Sequence, residues 1–372
     1  MNFIRCVFFS LLLLLSFSLK AEEIDFVGKD KLIGTYLEIA EDSNNDFEFP
    51  NFPSDVKFVR SDAETPNLGL SKSTYWIKFT VRNLSDEPKI FLELAYPMLH
   101  SCELFSLDSG KIENRSILET YSFSEREVNH QSIVFKLLIN KDSAKTFYLK
   151  IKGGRQVVLP LILRTENGFF QSALLSEIIT GIFIGIILVM ILYNLFIYFS
   201  TRDKSYLYYV LYIMFIGLAQ TTLNGYTFKY LWPQAHFFNN TAVVWFSALA
   251  GICAIFFIKE FLHISERAPI WGKLLYVIIG IYLIAVIFAI TGKGMLSYRF
   301  VDLGGLTGAV LTFVIALKLS LLGYRPAKFF LLAWSIFLLG LILFVMRNLN
   351  LLQYNVFTNY KISERKISDY RN

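Results

Sequence analysis

The chain has 372 residues, of which 54% are hydrophobic and only 18% charged, and its mean hydropathy is +0.47. A composition this apolar excludes an ordinary soluble enzyme. The formal net charge of +6 comes from basic residues scattered along the sequence, which argues against a nucleic-acid partner.

The apolar excess is uneven. Residues 24 to 170 carry a charge every few positions, whereas from Ile178 to Val345 the chain runs in apolar blocks of roughly 20 residues, the length that crosses a bilayer. A polar domain followed by a membrane domain is expected. Ahead of both, MNFIRCVFFSLLLLLSFSLKAEE places Arg5 before an apolar run and a small residue, Ala21, before two acids. Residues 1–21 read as a secretory signal peptide, an uncleaved first span being the alternative. In either case residues 22–170 are expected outside the cytoplasm, in the periplasm of a bacterium. Cys102 stands alone in that region, so no internal disulfide holds it and an apolar core must.

From Asp55 to Arg164, short alternating segments separated by turn residues predict about seven strands: 56–60, 74–83, 89–97, 100–108, 131–139, 145–152 and 156–164. NLSDEP, DSGK, NKDSAK and GGR supply the turns. Strands of this length and spacing predict a β-sandwich. In TYWIKFTVRN, Tyr75, Ile77, Phe79 and Val81 share one face and Trp76, Lys78, Thr80 and Arg82 the other. Trp76 is therefore out of place among polar neighbours. It is either an aromatic platform for a sugar or other planar ligand, with Lys78 and Arg82 offering hydrogen bonds, or a core-end residue beneath a loop such as PNLGLSKS. His100 and His130 are isolated and read as surface or strand-end residues. No acid pair, His cluster or Ser/His/Asp spacing suggests catalysis, a metal or a cofactor.

Residues 171–348 are expected to form six spans, at about 178–199, 205–223, 241–262, 270–291, 298–320 and 326–346. With the strand domain outside, the cytoplasmic connections hold Arg202, Lys204, Lys259, Arg267, Lys273, Lys318, Arg325 and Lys328, against Lys229, Lys293 and Arg299 in the external ones. That bias obeys the positive-inside rule. The spans are nearly free of ionisable groups, which argues against a transporter or channel. In the first span, Gly181 and Gly185 share a helical face and permit close helix approach, or are a chance pair. Asn194 is expected to hydrogen-bond to a neighbouring helix, as packing glue or as part of a switch. STRDKS then turns the first two spans into a hairpin.

GIFIGIILVMILYNLFIYFSTRDKSYLYYVLY (181–212) resembles the bacterial seven-transmembrane receptors with diverse intracellular signalling modules. The matching positions include Gly181, Gly185, Tyr193, Asn194, Leu195, Arg202, Asp203, Tyr206 and Leu207. PNLGLSKSTYWIKFTVRNLSDEP, AYPMLHSCELFSLDSGK and TFYLKIKGGRQVVLPLILRT are similar to that family's second type of extracellular domain, a jelly-roll-like sandwich related to carbohydrate-binding modules. AKFFLLAWSIFLLG and NVFTNY resemble its sixth span and the approach to its seventh.

The resemblance implies a sensory receptor. The exported domain would sense a carbohydrate or envelope component, and the helices, with Gly181, Gly185, Asn194, Arg202 and Asp203 among their packing and relay residues, would pass the state inward. The family's usual output enzymes leave no signature in this sequence, so the expectation is a chain without catalytic activity. It would act on a separate cytoplasmic effector or as a homodimer, embedded in membrane lipid. A non-signalling, membrane-anchored surface binding protein is the alternative. The tail 349–372 contains Lys361, Arg365, Lys366 and Arg371, each costing on the order of 2.5 to 3.5 kcal/mol at a bilayer centre, so it is not expected to span. The sequence-based expectation is a receptor input part cut short before its seventh helix.

Overall fold

The structure, a computed structural model, describes residues 23–99, 101–108, 111–118, 121–152 and 156–348. The expected signal peptide, His100 and the polar tail lie outside the described residues.

The polar part is built from strands β1 (Ile24–Phe26), β2 (Lys31–Leu32), β3 (Glu38–Asp42), β4 (Val59–Arg60), β5 (Asn67–Leu70), β6 (Thr74–Asn83), β7 (Lys89–Leu94), β8 (Ser101–Asp108), β9 (Lys111–Ile117), β10 (Ile133–Leu138), β11 (Ala144–Lys152), β12 (Gln156–Val158) and β13 (Leu161–Arg164). β6 is the predicted TYWIKFTVRN strand and the centre of the larger sheet, ordered β4-β3-β6-β11-β8-β9. β11 pairs antiparallel along nearly all of β6, and β3 and β1 share its other edge, β1 running parallel. A second sheet runs β10-β7-β13-β2, and β12 and β5 make a separate pair.

Ile77, Phe79, Leu104 and Phe147 of the first sheet and Ile90, Leu92, Phe135 and Leu161 of the second belong to one buried cluster, so the domain is a two-layer sandwich. Burying each such side chain stabilises the fold by about 1.5–3 kcal/mol. Cys102 is buried within this core and forms no disulfide, as its isolation in the sequence requires.

Several strands depart from expectation for local reasons. The predicted 156–164 strand splits into β12 and β13 at Pro160, which has no N–H to donate to a ladder. β9 was not predicted because its first four residues are exposed, so no apolar alternation marks it. β3, EIAED, is short, and three acids among its five residues leave no apolar alternation to mark it.

β7 is buried on both faces, and β10 at its start, which matters for the site. Ile90, Leu92 and Leu94 point into the sandwich core, while Phe91 on the opposite face joins Val134 and Phe169 in a second buried cluster. Phe169 belongs to the first helix.

That helix, α1 (Glu166–Thr201), begins well before the expected span near 178 and follows β13 after one residue. It has 36 residues. At about 1.5 Å per residue it is considerably longer than a bilayer core of about 30 Å. The chain continues through α2 (Lys204–Leu223), α3 (Tyr226–Tyr230), α4 (His236–Phe261), α5 (Ile264–Arg267), α6 (Pro269–Ile290), α7 (Gly294–Leu321) and α8 (Arg325–Asn348). Among the described residues, α1, α2, α4, α6 and α7 are the five helices long and apolar enough to cross a membrane. Leu192, Phe196 and Leu306 are 66%, 73% and 68% exposed, as lipid-facing side chains are. The sixth expected span coincides with α8, whose side chains from residue 337 onward lie outside the described residues.

By internal contacts the chain divides into two units. One contains the sandwich and α1 up to Tyr193, with Ile213–Ala250 and Ile284–Arg299. In it, Gly217 of α2 faces Ile187 of α1, where a Cβ would come within 2.8 Å of Ile187 Cδ1. The other contains Asn194–Tyr212, Gly251–Leu283 and the chain from Phe300 onward. There the ring of Tyr282 lies against Gly251 and Gly304, positions where a larger residue would collide with it. Basic side chains in this unit rest on aromatic rings: Lys259 on Tyr276, Arg267 on Tyr324 and Lys318 on Trp271, at 4.5, 4.1 and 5.5 Å from the ring centroids.

Candidate functional site

The three residues singled out on β6 are on one face, as alternation predicts, but they do not form an open platform. Trp76 is 1% exposed. Phe52 meets its ring edge-on at 5.0 Å, Phe105 at 5.5 Å, and Lys150 lies 5.3 Å over it. Phe49, Phe52 and Phe58 reach the same cluster through Tyr148, so the cover comes from the strap that precedes β4. Trp76 Nε1 has no hydrogen-bond partner among the described residues. Lys78 pairs with Glu38 at 3.1 Å, and Arg82 is exposed. A planar ligand reaching Trp76 has to displace Phe52.

The helix residues separate into different roles. A Cβ added at Gly181 or Gly185 would meet nothing within 4 Å, so neither marks a close helix approach among the described residues. Asn194 is 6% exposed in an otherwise lipid-facing segment. Arg202 ends α1 in the left-handed conformation, with φ of 58°. Asp203 then accepts the Ser205 N–H through Oδ1 at 2.8 Å, capping α2. The Arg-Asp pair is therefore a built corner between two helices.

What sequence reasoning missed is the place where the sandwich meets the helices, and it rests on two braces. In the first, Arg164 at the end of β13 is buried and donates through Nε to Glu93 of β7 at 2.7 Å and through Nη1 to Asp30. Thr165 caps α1 by accepting the Gly168 N–H at 3.0 Å, and Lys89 pairs with Glu166 at 3.0 Å. Phe169 stacks on Phe91 at 4.9 Å and takes the edge of His130 at 5.0 Å. The helix thus starts locked to the outer face of β7.

The second brace is formed by α3 against the segment before β10. Gly225 takes φ of 79°, and a Cβ there would lie 2.9 Å from both the Gln131 carbonyl oxygen and Pro97 Cβ, so the turn needs glycine for conformation and for space. Gln131 Nε2 donates to the Tyr226 hydroxyl at 3.1 Å. Phe123 packs edge-on to Phe228 at 5.7 Å, and its N–H donates to the Pro233 carbonyl at 2.8 Å. Arg126 lies over both rings, at 4.8 and 5.7 Å from their centroids. Its Nη1 reaches the carbonyls of His130, Gln131 and Ser132 at 3.0, 2.9 and 3.3 Å. Lys229 and Tyr230 of α3 both bind Glu177 of α1, the lysine at 2.5 Å.

The electrostatics follow from burial. For Arg164 burial opposes the charge, but Glu93 and Asp30 outweigh it and the pKa is raised. Lys229 is likewise raised, its desolvation outweighed by Glu177 and Tyr230. Burial lowers Arg126 to about 10, so it remains charged. His130, read from sequence as a surface or strand-end residue, does precede β10 but is 5% exposed. Burial lowers its pKa, Glu93 and Glu177 opposing the shift and Lys229 and Arg126 adding to it.

No sequence motif announces this site: Gln131 and Tyr226 are 95 positions apart. The available signal was the near-continuous apolar run KIFLEL, which marks a strand covered on both faces. No group of three or more His, Cys, Asp or Glu side chains suited to a metal occurs among the described residues.

Comparison with known families agrees with this architecture. The family described as 7TM diverse intracellular signalling matches residues 176–363, just over half of the chain. The family described as 7TMR-DISM extracellular 2 matches residues 34–165, the sandwich. No curated protein matches the chain.

Proposed function

Because the chain belongs to the 7TM diverse intracellular signalling family, we propose that it is the input part of a membrane sensory receptor: an extracytoplasmic sandwich binds a ligand, and the helices carry the bound state across the bilayer. The ligand class the family resemblance suggests is a carbohydrate or envelope component. In this reading the helices pass the bound state to a cytoplasmic output.

The observation that carries this reading is the double brace. A domain held to a membrane only for anchorage needs no more than a linker, whereas here Phe169 and Arg164 fix the start of α1 and Gln131 and Arg126 engage α3. Ligand-dependent movement of β7 or of the 121–133 segment must therefore move a helix end or break buried contacts. The size of any such effect is limited to the difference in ligand affinity between the two arrangements.

The test is calorimetric titration of the full chain in lipid nanodiscs with glycans and cell-envelope fragments. The expected result is saturable binding by at least one, accompanied by altered hydrogen exchange in α3. Binding with no change in α3 would identify a surface binding protein instead of a receptor. No binding to any of them would remove the sensing claim.

A further inference from the structure

Beside the second brace is a partly open pocket with about 30 Å³ of space, lined from the sandwich by Ser122, Arg126 and Ile133 and from the helices by Phe228, His236 and Asn239. No acid lines it. A space of this size admits two or so waters, which suits a small ionic group.

The donors in this pocket outnumber their partners. Arg126 commits Nη1 to three carbonyls, which leaves Nε–H and Nη2–H without a hydrogen-bond partner among the described residues. It also has no carboxylate within ion-pairing distance among them: Glu125 is turned to Ser122, Glu127 pairs with Arg115 at 3.5 Å, and Glu177 with Lys229 at 2.5 Å. Asn239 accepts from Trp232 Nε1 at 3.3 Å. An indole nitrogen only donates, so the oxygen of Asn239 faces Trp232 and its amide N–H groups are left for the pocket. His236 opens α4, where the unpaired N–H groups of the first turn add positive character.

Arg126 is half-buried and has no ion-pair partner among the described residues, and its planar fork fits the two oxygens of a carboxylate or phosphate. We propose that this pocket is a binding site for a small anionic group, a carboxylate or phosphate, held by Arg126 with Asn239 and His236 beside it. Because its walls come from both the sandwich and the α3–α4 segment, the bound anion holds the two together. The site does not depend on the sandwich sensing any ligand of its own.

The full chain in zwitterionic nanodiscs is titrated with inorganic phosphate or acetate, ionic strength being held with chloride, and separately placed in nanodiscs containing an anionic phospholipid. The readout is the thermal unfolding midpoint. The expected result is a saturable rise, weakened roughly tenfold or more in apparent affinity by Arg126→Gln. If that variant fails to fold, Asn239→Asp serves instead: it keeps the acceptor for Trp232, places a carboxylate beside Arg126, and is expected to keep a high midpoint while losing the response. A response to free anions assigns a soluble ligand, and a response to lipid alone assigns a headgroup. No response to any of these probes, or an Asn239→Asp protein that responds as the wild type does, overturns the site.

Discussion

His130 accepts the Ser132 N–H through Nδ1 at 3.2 Å, so its proton sits on Nε2, buried and unpartnered among the described residues beside Phe169. A second proton would break the Ser132 contact and place a charge in an apolar setting faced by Glu93 from β7, Lys229 from α3, Glu177 from α1 and Arg126 from its own segment. Its pKa is lower when folded than in the unfolded chain, where it is about 6.5. The contribution is therefore fully present above that value, falls as pH drops through it, and levels off below the lowered pKa. Unfolding free energies measured from pH 7.5 to 5 should decline, by at most about 1.4 kcal/mol per pH unit from this residue. His130→Asn, whose side-chain oxygen can still accept from Ser132, should flatten the profile. Arg164 poses the opposite case, a buried charge already paired. Glu93→Gln should destabilise the first brace by about 3 kcal/mol, the order expected when one member of a buried pair is removed, and chemical denaturation in detergent measures it.

Among the elements, α3 is small, with 5 residues, yet it carries the second brace. Gly225→Ala puts a methyl group against Gln131 and Pro97 in a left-handed turn, whereas Gly292→Ala meets the same conformational strain, with φ of 73°, in open space. The backbone cost is about 1 kcal/mol in both. Hydrogen exchange at Lys229 and Leu231, whose N–H groups bond to Gly225 and Thr227, should accelerate in the first variant and not the second. The difference isolates the contact. This element also shows where sequence reading stopped. β6 was legible because one face is apolar at every second residue, and the five long helices because each carries an apolar stretch long enough to cross a bilayer. The brace was not, since Arg126, Gln131 and Tyr226 belong to no repeating pattern and meet only after folding. Glycine pairing carried no such information: the pair at 181 and 185 stands open among the described residues, while the glycines at 217, 251 and 304 admit neighbouring side chains.

For the molecule as a whole, direction across the bilayer decides whether the receptor reading is physically possible. Five successive helices, if all cross, place the 224–235 and 291–293 connections on the side of the sandwich and the 202–203, 262–268 and 322–324 connections on the other. The basic residues favour the second group for the cytoplasm, because Arg202, Arg267 and Arg325 lie in or beside it and moving such charges through the membrane during insertion is disfavoured. Single cysteines at Glu113, Lys293, Lys204 and Glu266, introduced in a Cys6→Ser background, test this with a membrane-impermeant maleimide on intact cells. Cys102 and Cys253 are buried and should remain unlabelled in the folded protein. The first two positions should label directly and the last two only after permeabilisation. The reverse pattern would put the sandwich in the cytoplasm, where no extracellular ligand could reach it. Labelling of Lys293 and Glu266 from the same side would mean that α6 does not cross, and the alternating topology on which the relay depends would fail with it.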